Sequence, residues 1–149
     1  MTAVREQILE AIKARLGTIV GFPGLEVHRN ISYPEDDENL PVLIPVDGDQ
    51  EVIASTASLK EYRMSMSVDG MVKAGAEGAQ GTLANALYVA VIKAVMADPS
   101  YGGLAVDTQE GAFVVAIDRT RGAPFVASFQ LQLLVDYWTQ DNAPDQLAP

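Results

Sequence analysis

The chain has 149 residues, of which twenty are acidic and ten are basic, giving a net charge of −10. It contains no cysteine, which excludes disulfides, thiolate metal sites and thiol nucleophiles. Its lysines and arginines are scattered, so the concentrated positive surface that grips phosphate groups is not expected.

The acidic balance has two interpretations: simple solubility, or a surface or channel that must repel nucleic acid. The length fits one domain. No stretch approaches the roughly 20 apolar residues that span a bilayer. The N-terminus has no charged region followed by an apolar core, so we expect a soluble protein with no signal peptide and no membrane partner.

The N-terminal segment predicts an amphipathic helix over Val4–Leu16. Its apolar residues recur at helical spacing: Val4, Ile8, Leu9, Ile12 and Leu16. Thr2 suits the N-cap position, and Gly17 suits the C-terminal stop. Glycine and proline predict a loop over residues 17–24, and a short strand over Leu25–Asn30 is expected to follow.

An acidic loop, Tyr33–Asn39, is expected next. Leu40–Val46 is apolar enough for a strand, and its two prolines predict a sheet edge because proline cannot donate to a ladder. The Asp-Gly pair in Asp47–Glu51 is typical of a hairpin turn. The clearest strand signal in the first half is at residues 59–72, where apolar and polar residues alternate.

Met64 and Met66 share the apolar face of this strand and are expected to fill the core, whereas Met71 is left open between core and partner surface. Glycines predict a mobile loop over residues 70–81, followed by a helix over Thr82–Ala97. This helix has small apolar residues on most sides, so we expect burial on more than one side, by the domain or by a neighbour.

Asp98-Pro99 ends this helix, because proline cannot continue it. The remaining elements are a turn at 100–103, strands at Leu104–Asp107 and Phe113–Asp118, a hairpin loop at 119–123 and a long final strand from Phe125 to Trp138. Residues 141–149 lack periodicity and are expected to form a loose tail.

This order of elements predicts a single-domain α+β fold. We expect a mainly antiparallel, mixed β-sheet with the two principal helices packed on one face. The domain is expected to cover residues 1–140, followed by a flexible acidic C-terminal tail at 141–149.

The sequence contains few residues in patterns typical of catalysis or metal binding. His28 is the only histidine, and no Gly-x-Ser-x-Gly elbow lies near it, so we interpret it as a structural or surface residue. The acidic clusters Glu35–Glu38 and Asp47–Glu51 lack the full ligand spacing of a calcium loop. The glycines match no phosphate-binding loop. The sequence thus indicates no catalytic, cofactor-binding or metal-binding residue, and we expect no enzyme activity.

Four stretches taken in order resemble the tail terminator proteins of bacteriophages with long, non-contractile tails, the group that includes the phage lambda terminator. The stretches are the helix Val4–Leu16, the apolar segment Leu40–Ile44 with the alternating strand Tyr62–Val68, the helix Leu83–Val95 with the turn Asp98–Leu104, and the strand Phe129–Thr139. The turn is similar to the Asp-x-x-Leu-Gly-Gly-Leu turn of many such proteins, with Tyr101 in place of leucine. Val135–Thr139 resembles a common Tyr-x-Thr ending.

The resemblance implies a structural virion protein. Such proteins form a hexameric ring on the last ring of the tail tube, stop its elongation and join the tail to the neck of the head. The implied partners are further copies of the chain, the tail tube protein and a neck or head-completion protein. DNA passes through the lumen without specific binding. The implied location is the head-proximal end of the virion tail, after assembly in the host cytoplasm.

In that setting, the glycine-rich loop 70–81 could reach a neighbour, and carboxylates of residues 35–38 and 47–51 are candidates for the channel wall. The family supplies no catalytic residues. The alternatives left open are a neck or head–tail joining protein at an adjacent ring, a small enzyme, and a calcium-binding module.

Overall fold

The computed structural model describes residues 2–32, 40–119 and 125–149. Two helices and six strands follow one another along these residues: α1 (Val4–Leu16), β1 (Glu26–Val27), β2 (Val42–Ser55), β3 (Leu59–Ala74), α2 (Ala79–Met96), β4 (Asp107–Ile117), β5 (Phe125–Gln140) and β6 (Ala143–Leu147). The expected acidic loop Tyr33–Asn39 and most of the expected hairpin loop 119–123 lie outside the described residues.

The strands form one mixed sheet in the order β1-β2-β3-β5-β4. β1 runs parallel to β2, whereas the other paired neighbours are antiparallel. β3 lies at the centre and pairs with β5 along its whole length, from Leu59 opposite Gln140 to Ala74 opposite Phe125. β6 pairs with the end of β5. The predicted α+β class is confirmed.

The alternating residues of β3 and β5 create the covered face of the sheet. Met64, Met66 and Val68 lie opposite Val135, Leu133 and Leu131, and all six are buried. Both helices pack on this face through apolar stripes that belong to the same buried cluster. The buried residues of the helices are Val4, Ile8, Leu9, Ile12 and Leu16 in α1 and Gln80, Ala84, Leu87, Val91 and Val95 in α2. The core role expected for Met64 and Met66 is therefore confirmed.

A smaller apolar cluster lies on the opposite face, which we call the open face. It consists of Leu40, Val42 and Ile44, with Met71 packed against them. Met71 lies opposite Val42 on the neighbouring strand. Its thioether therefore fills this second cluster, which answers the question that the sequence left open for this residue.

The bounds of α1 agree with prediction, but its N-cap does not. The capping position is Ala3, not Thr2, and no side chain caps the helix. Gln7 N–H bonds instead to the backbone oxygen of Ala3 at 3.1 Å. Gly17 occupies the C-cap in a right-handed conformation with φ −66°, so this position does not depend on the freedom of glycine.

The central strands extend further than their sequence patterns indicate. β3 continues to Ala74 and α2 begins at Ala79, so the mobile loop expected over 70–81 is replaced by a connection of residues 75–78. Gly70 lies within β3, where a Cβ would overlap the ring of Phe129. The glycine makes room for an aromatic side chain on the next strand, so it is not a loop signal.

The edge strand expected at Leu40–Val46 and the turn expected at Asp47–Glu51 are both replaced by the long strand β2. Hydrogen bonds from His28 N–H to Leu43 O and from Asn30 N–H to Pro45 O place a neighbour beside its first half. Pro45 is tolerated because its missing N–H faces that short neighbour and not the central strand β3. The extended segment predicted at Leu25–Asn30 contains β1 at Glu26–Val27 only.

In the second half, the strands expected at Leu104–Asp107 and Phe113–Asp118 are one strand, β4, with an irregularity between Glu110 and Phe113. The tail expected at 141–149 contains β6, since Asn142 adopts φ 57° and turns the chain back onto β5. The overlooked signal was the pair Asp141-Asn142, because asparagine in a turn tolerates a positive φ.

Helix α2 is buried along one stripe only within the chain. Val89 on its outer side is 46% exposed, and Lys93 is also exposed. The helix has the length and mean hydropathy (18 residues, 1.2) of a short membrane span, with 28% of its residues buried. Its buried stripe is part of the sheet core, the arrangement of a core helix in a globular domain. Burial on a second side, as the sequence predicted, is not supplied by the described part of the chain.

Candidate functional site

The histidine that the sequence singled out lies on the surface. The Nε2 atom of His28 is 2.8 Å from a carboxylate oxygen of Glu26, and the His28 side chain is 48% exposed. Glu26 lies in the short strand β1 at the periphery of the sheet, and His28 directly follows that strand. This is an exposed pair, without the enclosed surroundings that tune a general base.

The acidic cluster Asp47–Glu51 is part of β2, and its first carboxylate is already occupied. Arg29 donates to both oxygens of Asp47, at 2.8 and 2.7 Å. The cluster Glu35–Glu38 lies outside the described residues. Among the residues that are described, none are grouped in a way that could hold a metal ion.

The guanidinium of Arg29 connects three elements. It also donates to Glu10 at 2.9 Å and to both oxygens of Glu6, with one of those bonds at 3.0 Å. The Arg29 side chain is only 13% exposed. Three carboxylates therefore surround one partly buried cation and fix α1 and the chain after β1 to β2.

This network shifts the titration of its members. Hydrogen bonds from Arg29 hold the pKa values of Glu6 and Asp47 below their ordinary range. The same bonds, first to Asp47 and then to Glu6, raise the pKa of Arg29. Each shift favours the charged form, which is the behaviour of a structural ion network and not of a proton-transfer group.

The turn after α2, which carries part of the family resemblance, is organised by Asp98. Its carboxylate accepts bonds from Ser100 N–H at 3.0 Å, the Ser100 hydroxyl at 2.7 Å and Gly102 N–H at 2.7 Å. These donors, the Ser100 hydroxyl first, lower the pKa of Asp98 to about 2. Tyr101, Gly102 and Gly103 then adopt positive φ values of 52°, 71° and 95°.

The same turn is anchored to the rest of the molecule by Tyr101. The Tyr101 ring is buried and lies under the Arg15 guanidinium, with 4.8 Å between the ring centroid and Cζ. The Thr108 hydroxyl is 2.8 Å from the Tyr101 hydroxyl and 2.8 Å from Pro99 O. Tyrosine at this position thus gains contacts that leucine could not make. The turn links α1, α2 and β4 as a structural joint.

The open face of the sheet carries a shallow depression of about 320 Å³. Its lining includes Ser65, Ser67, Gln130 and Gln132, which are neutral and polar. A hydrolytic site needs a nucleophile beside a base, or convergent polar groups with shifted pKa values. Asp47 also lines the depression, but both of its carboxylate oxygens accept hydrogen bonds from Arg29, so it is not a free base beside the serines.

The depression lies between two irregularities in the outer strands, one after Asp47 in β2 and one after Glu110 in β4. Glycines occupy both irregularities. A Cβ at Gly48 would overlap the backbone of Ser65, and one at Gly111 would approach Gln132 Oε1 to 2.6 Å. Such bulges bend a strand and increase its twist, which shapes the face between them.

Exposed apolar side chains are concentrated on the two outer strands. Of the ten exposed large hydrophobic residues among those described, five lie on β2 or β4: Val52, Ile53, Val114, Val115 and Ile117. We call Glu51–Ser55 the β2 rim and Phe113–Ile117 the β4 rim. Within the described chain, neither rim has a strand on its outer side.

The β2 rim lies beyond the strand predicted to end at Val46, whereas the β4 rim lies within the strand predicted at Phe113–Asp118, whose position at a sheet edge the sequence did not reveal. A signal was present, since residues 52–59 and 111–117 contain no charged side chain in a chain that is 20% charged. Solvent-exposed edge strands usually carry charges or proline that discourage pairing. The absence of such residues in a predicted strand indicates a covered edge.

Comparison with protein-family models and with curated protein sequences finds no match for this chain.

Proposed function

We propose that this protein is a structural subunit of a bacteriophage tail, which forms a ring on the end of the tail tube, stops tube elongation and joins the tail to the neck. Its partners are further copies of the chain, the tube protein and a neck protein. DNA passes through the ring without specific binding. The expected location is the head-proximal end of the virion tail.

The observation that carries this proposal is the placement of the two mainly apolar rims. They lie on different strands at different sides of the sheet, one on β2 and one on β4. A subunit with two different contact patches forms heterologous contacts, which give a closed ring when the rotation between neighbours closes. An enzyme would instead concentrate its informative groups in one pocket.

The exposed charges of β2 fit a channel that does not retain DNA. Asp47 is bonded to Arg29, whereas Asp49 and Glu51 are exposed. Repulsion between these carboxylates and phosphates acts over roughly 8 Å at physiological salt, so the carboxylates must lie on the channel wall itself. Of the second acidic cluster, we assign Asp49 to this role, because Glu51 belongs to the β2 rim.

Electron microscopy of tail tubes mixed with the purified protein tests the proposal. We expect a cap of six-fold density on one end of each tube. If the protein binds only to tubes whose ends already carry another protein, the result would favour the neck protein instead. Tubes with bare ends at saturating protein would contradict both assignments.

A further inference from the structure

We propose that the β4 rim of one copy pairs with the β2 rim of the next copy, so that the sheets of neighbouring subunits join into one continuous sheet. This inference takes ring closure from the proposed function and adds which backbone segments meet. It can be tested on the isolated protein without any tail component.

Among the described residues, the backbone of each rim has no strand paired on its outer side. An outer strand presents a row of N–H and C=O groups that an added strand can satisfy. The β2 rim is exposed from Glu51 to Ser55, and β4 is exposed from Val114 to Ile117. The partner that fits either rim is therefore an extended, mainly apolar segment, and each rim is such a segment, with Glu51 at the start of the β2 rim as its one charged residue.

The directions of the strands favour the same contact. β2, β3, β5 and β4 alternate in direction across the sheet, because each neighbouring pair is antiparallel. β4 consequently runs antiparallel to β2. When the next copy continues the sheet, its β2 meets β4 in the antiparallel sense, so the alternation is preserved across the junction.

The amino-acid composition of the two rims also fits this pairing. The two rims have equal length, and neither contains lysine or proline. Antiparallel pairing along their whole length places Val115 opposite Ile53 and Val114 opposite Ala54. Apolar and β-branched cross-strand pairs of this kind stabilise a sheet.

A two-fold contact between β4 rims is the competing arrangement. It would cover β4 but leave Val52 and Ile53 of both copies exposed, at 52% and 36%. Head-to-tail pairing in a closed ring covers both rims of every subunit. We therefore favour the head-to-tail contact.

The absence of cysteine makes a cross-linking test direct. The variants Val115→Cys and Ile53→Cys are prepared separately. Their tags differ in length, so that a heterodimer can be told from a homodimer by size. Each variant alone, and a mixture of the two, is treated with a short thiol–thiol cross-linker. Both positions are partly exposed, so the substitutions should leave the fold intact, which circular dichroism checks. We expect a cross-linked heterodimer in the mixture, and at least tenfold less product in either single sample.

Val89→Cys provides the matched control, because Val89 is an exposed apolar residue on α2 and not on a rim. Mixed with Ile53→Cys, it should give no product above background. A second variant, Val114→Lys, places a charge within the β4 rim and should weaken self-association by roughly tenfold or more.

A cross-link in the Val115→Cys sample alone would assign the two-fold contact and overturn the inference. No product in the mixture would also overturn it, whether the protein is oligomeric through another surface or stays monomeric. Either result leaves the tube-capping proposal to its own test, because tubes could still be capped through a different contact.

Discussion

At the scale of single residues, Arg29 joins three carboxylates from two elements. Its guanidinium bonds to Glu6, Glu10 and Asp47, and its side chain is 13% exposed. Without it, three carboxylates would face one another across the junction of α1, β1 and β2. Removing one partner of a buried ion pair is costly because the remaining charges keep their desolvation.

We expect Arg29→Met to lower the free energy of unfolding by about 1–3 kcal/mol, a value reduced from that of a fully buried pair because the carboxylates are partly exposed. Urea denaturation measures this. Lys60→Met is the control, since Lys60 pairs with Asp141 at 3.3 Å and both side chains are 32% exposed. Equal losses in the two variants would show that the Arg29 network does not act as described.

Gly70 is a second residue with a specific prediction. A Cβ at this position would overlap the ring of Phe129 in the core, so we expect Gly70→Ala to cost about 1–3 kcal/mol of stability. At Gly75 a Cβ has nothing within 4 Å, which makes Gly75→Ala the matched control. Thermal unfolding of both variants decides the point, and an unchanged melting temperature for Gly70→Ala would refute it.

At the scale of elements, the turn Asp98–Leu104 gives a pH-dependent prediction. The pKa of Asp98 is lowered to about 2 from an ordinary value of 3.8, so its contribution to stability is present above pH 4 and is lost as pH falls through about 2. We expect Asp98→Asn to be destabilised at neutral pH and to lose less stability than the native chain between pH 4 and pH 2. Chemical denaturation at several pH values measures this, and parallel curves would contradict it.

The sequence predicted some elements well because their signals are local. Five apolar residues at helical spacing fixed α1, and strict alternation from Phe125 onward fixed β5. The errors occurred where tertiary contacts override local signals. Gly48 reads as a turn residue, yet it lies in a bulge of a continuous strand, where the backbone of Ser65 is too close for a Cβ.

The candidate surfaces were harder to predict than the fold. A sheet edge is defined by strand order, which depends on pairings such as Arg63 with Asp136, far apart in sequence. The Arg29 network likewise unites residues from three separate segments. What the sequence did offer was the lack of charge at 52–59 and 111–117, which is visible without any structure.

At the scale of the whole molecule, the covered face of the sheet contains the core, while the open face and the rims remain for other contacts. α2 adds an outer side with Val89 exposed and only Lys93 charged. These surfaces suit a protein that is completed by its neighbours. If assembly buries the rims, the isolated protein should unfold at a temperature that rises with its concentration, which calorimetry over a hundredfold dilution range would measure.

The length distribution of tail tubes, assembled with increasing amounts of this protein and measured by electron microscopy, tests the central claim most directly. A ring that caps the growing end predicts that mean length falls as the ratio of this protein to tube subunits rises. Tubes of the same length at every ratio would contradict the assignment of this chain as the subunit that ends the tail.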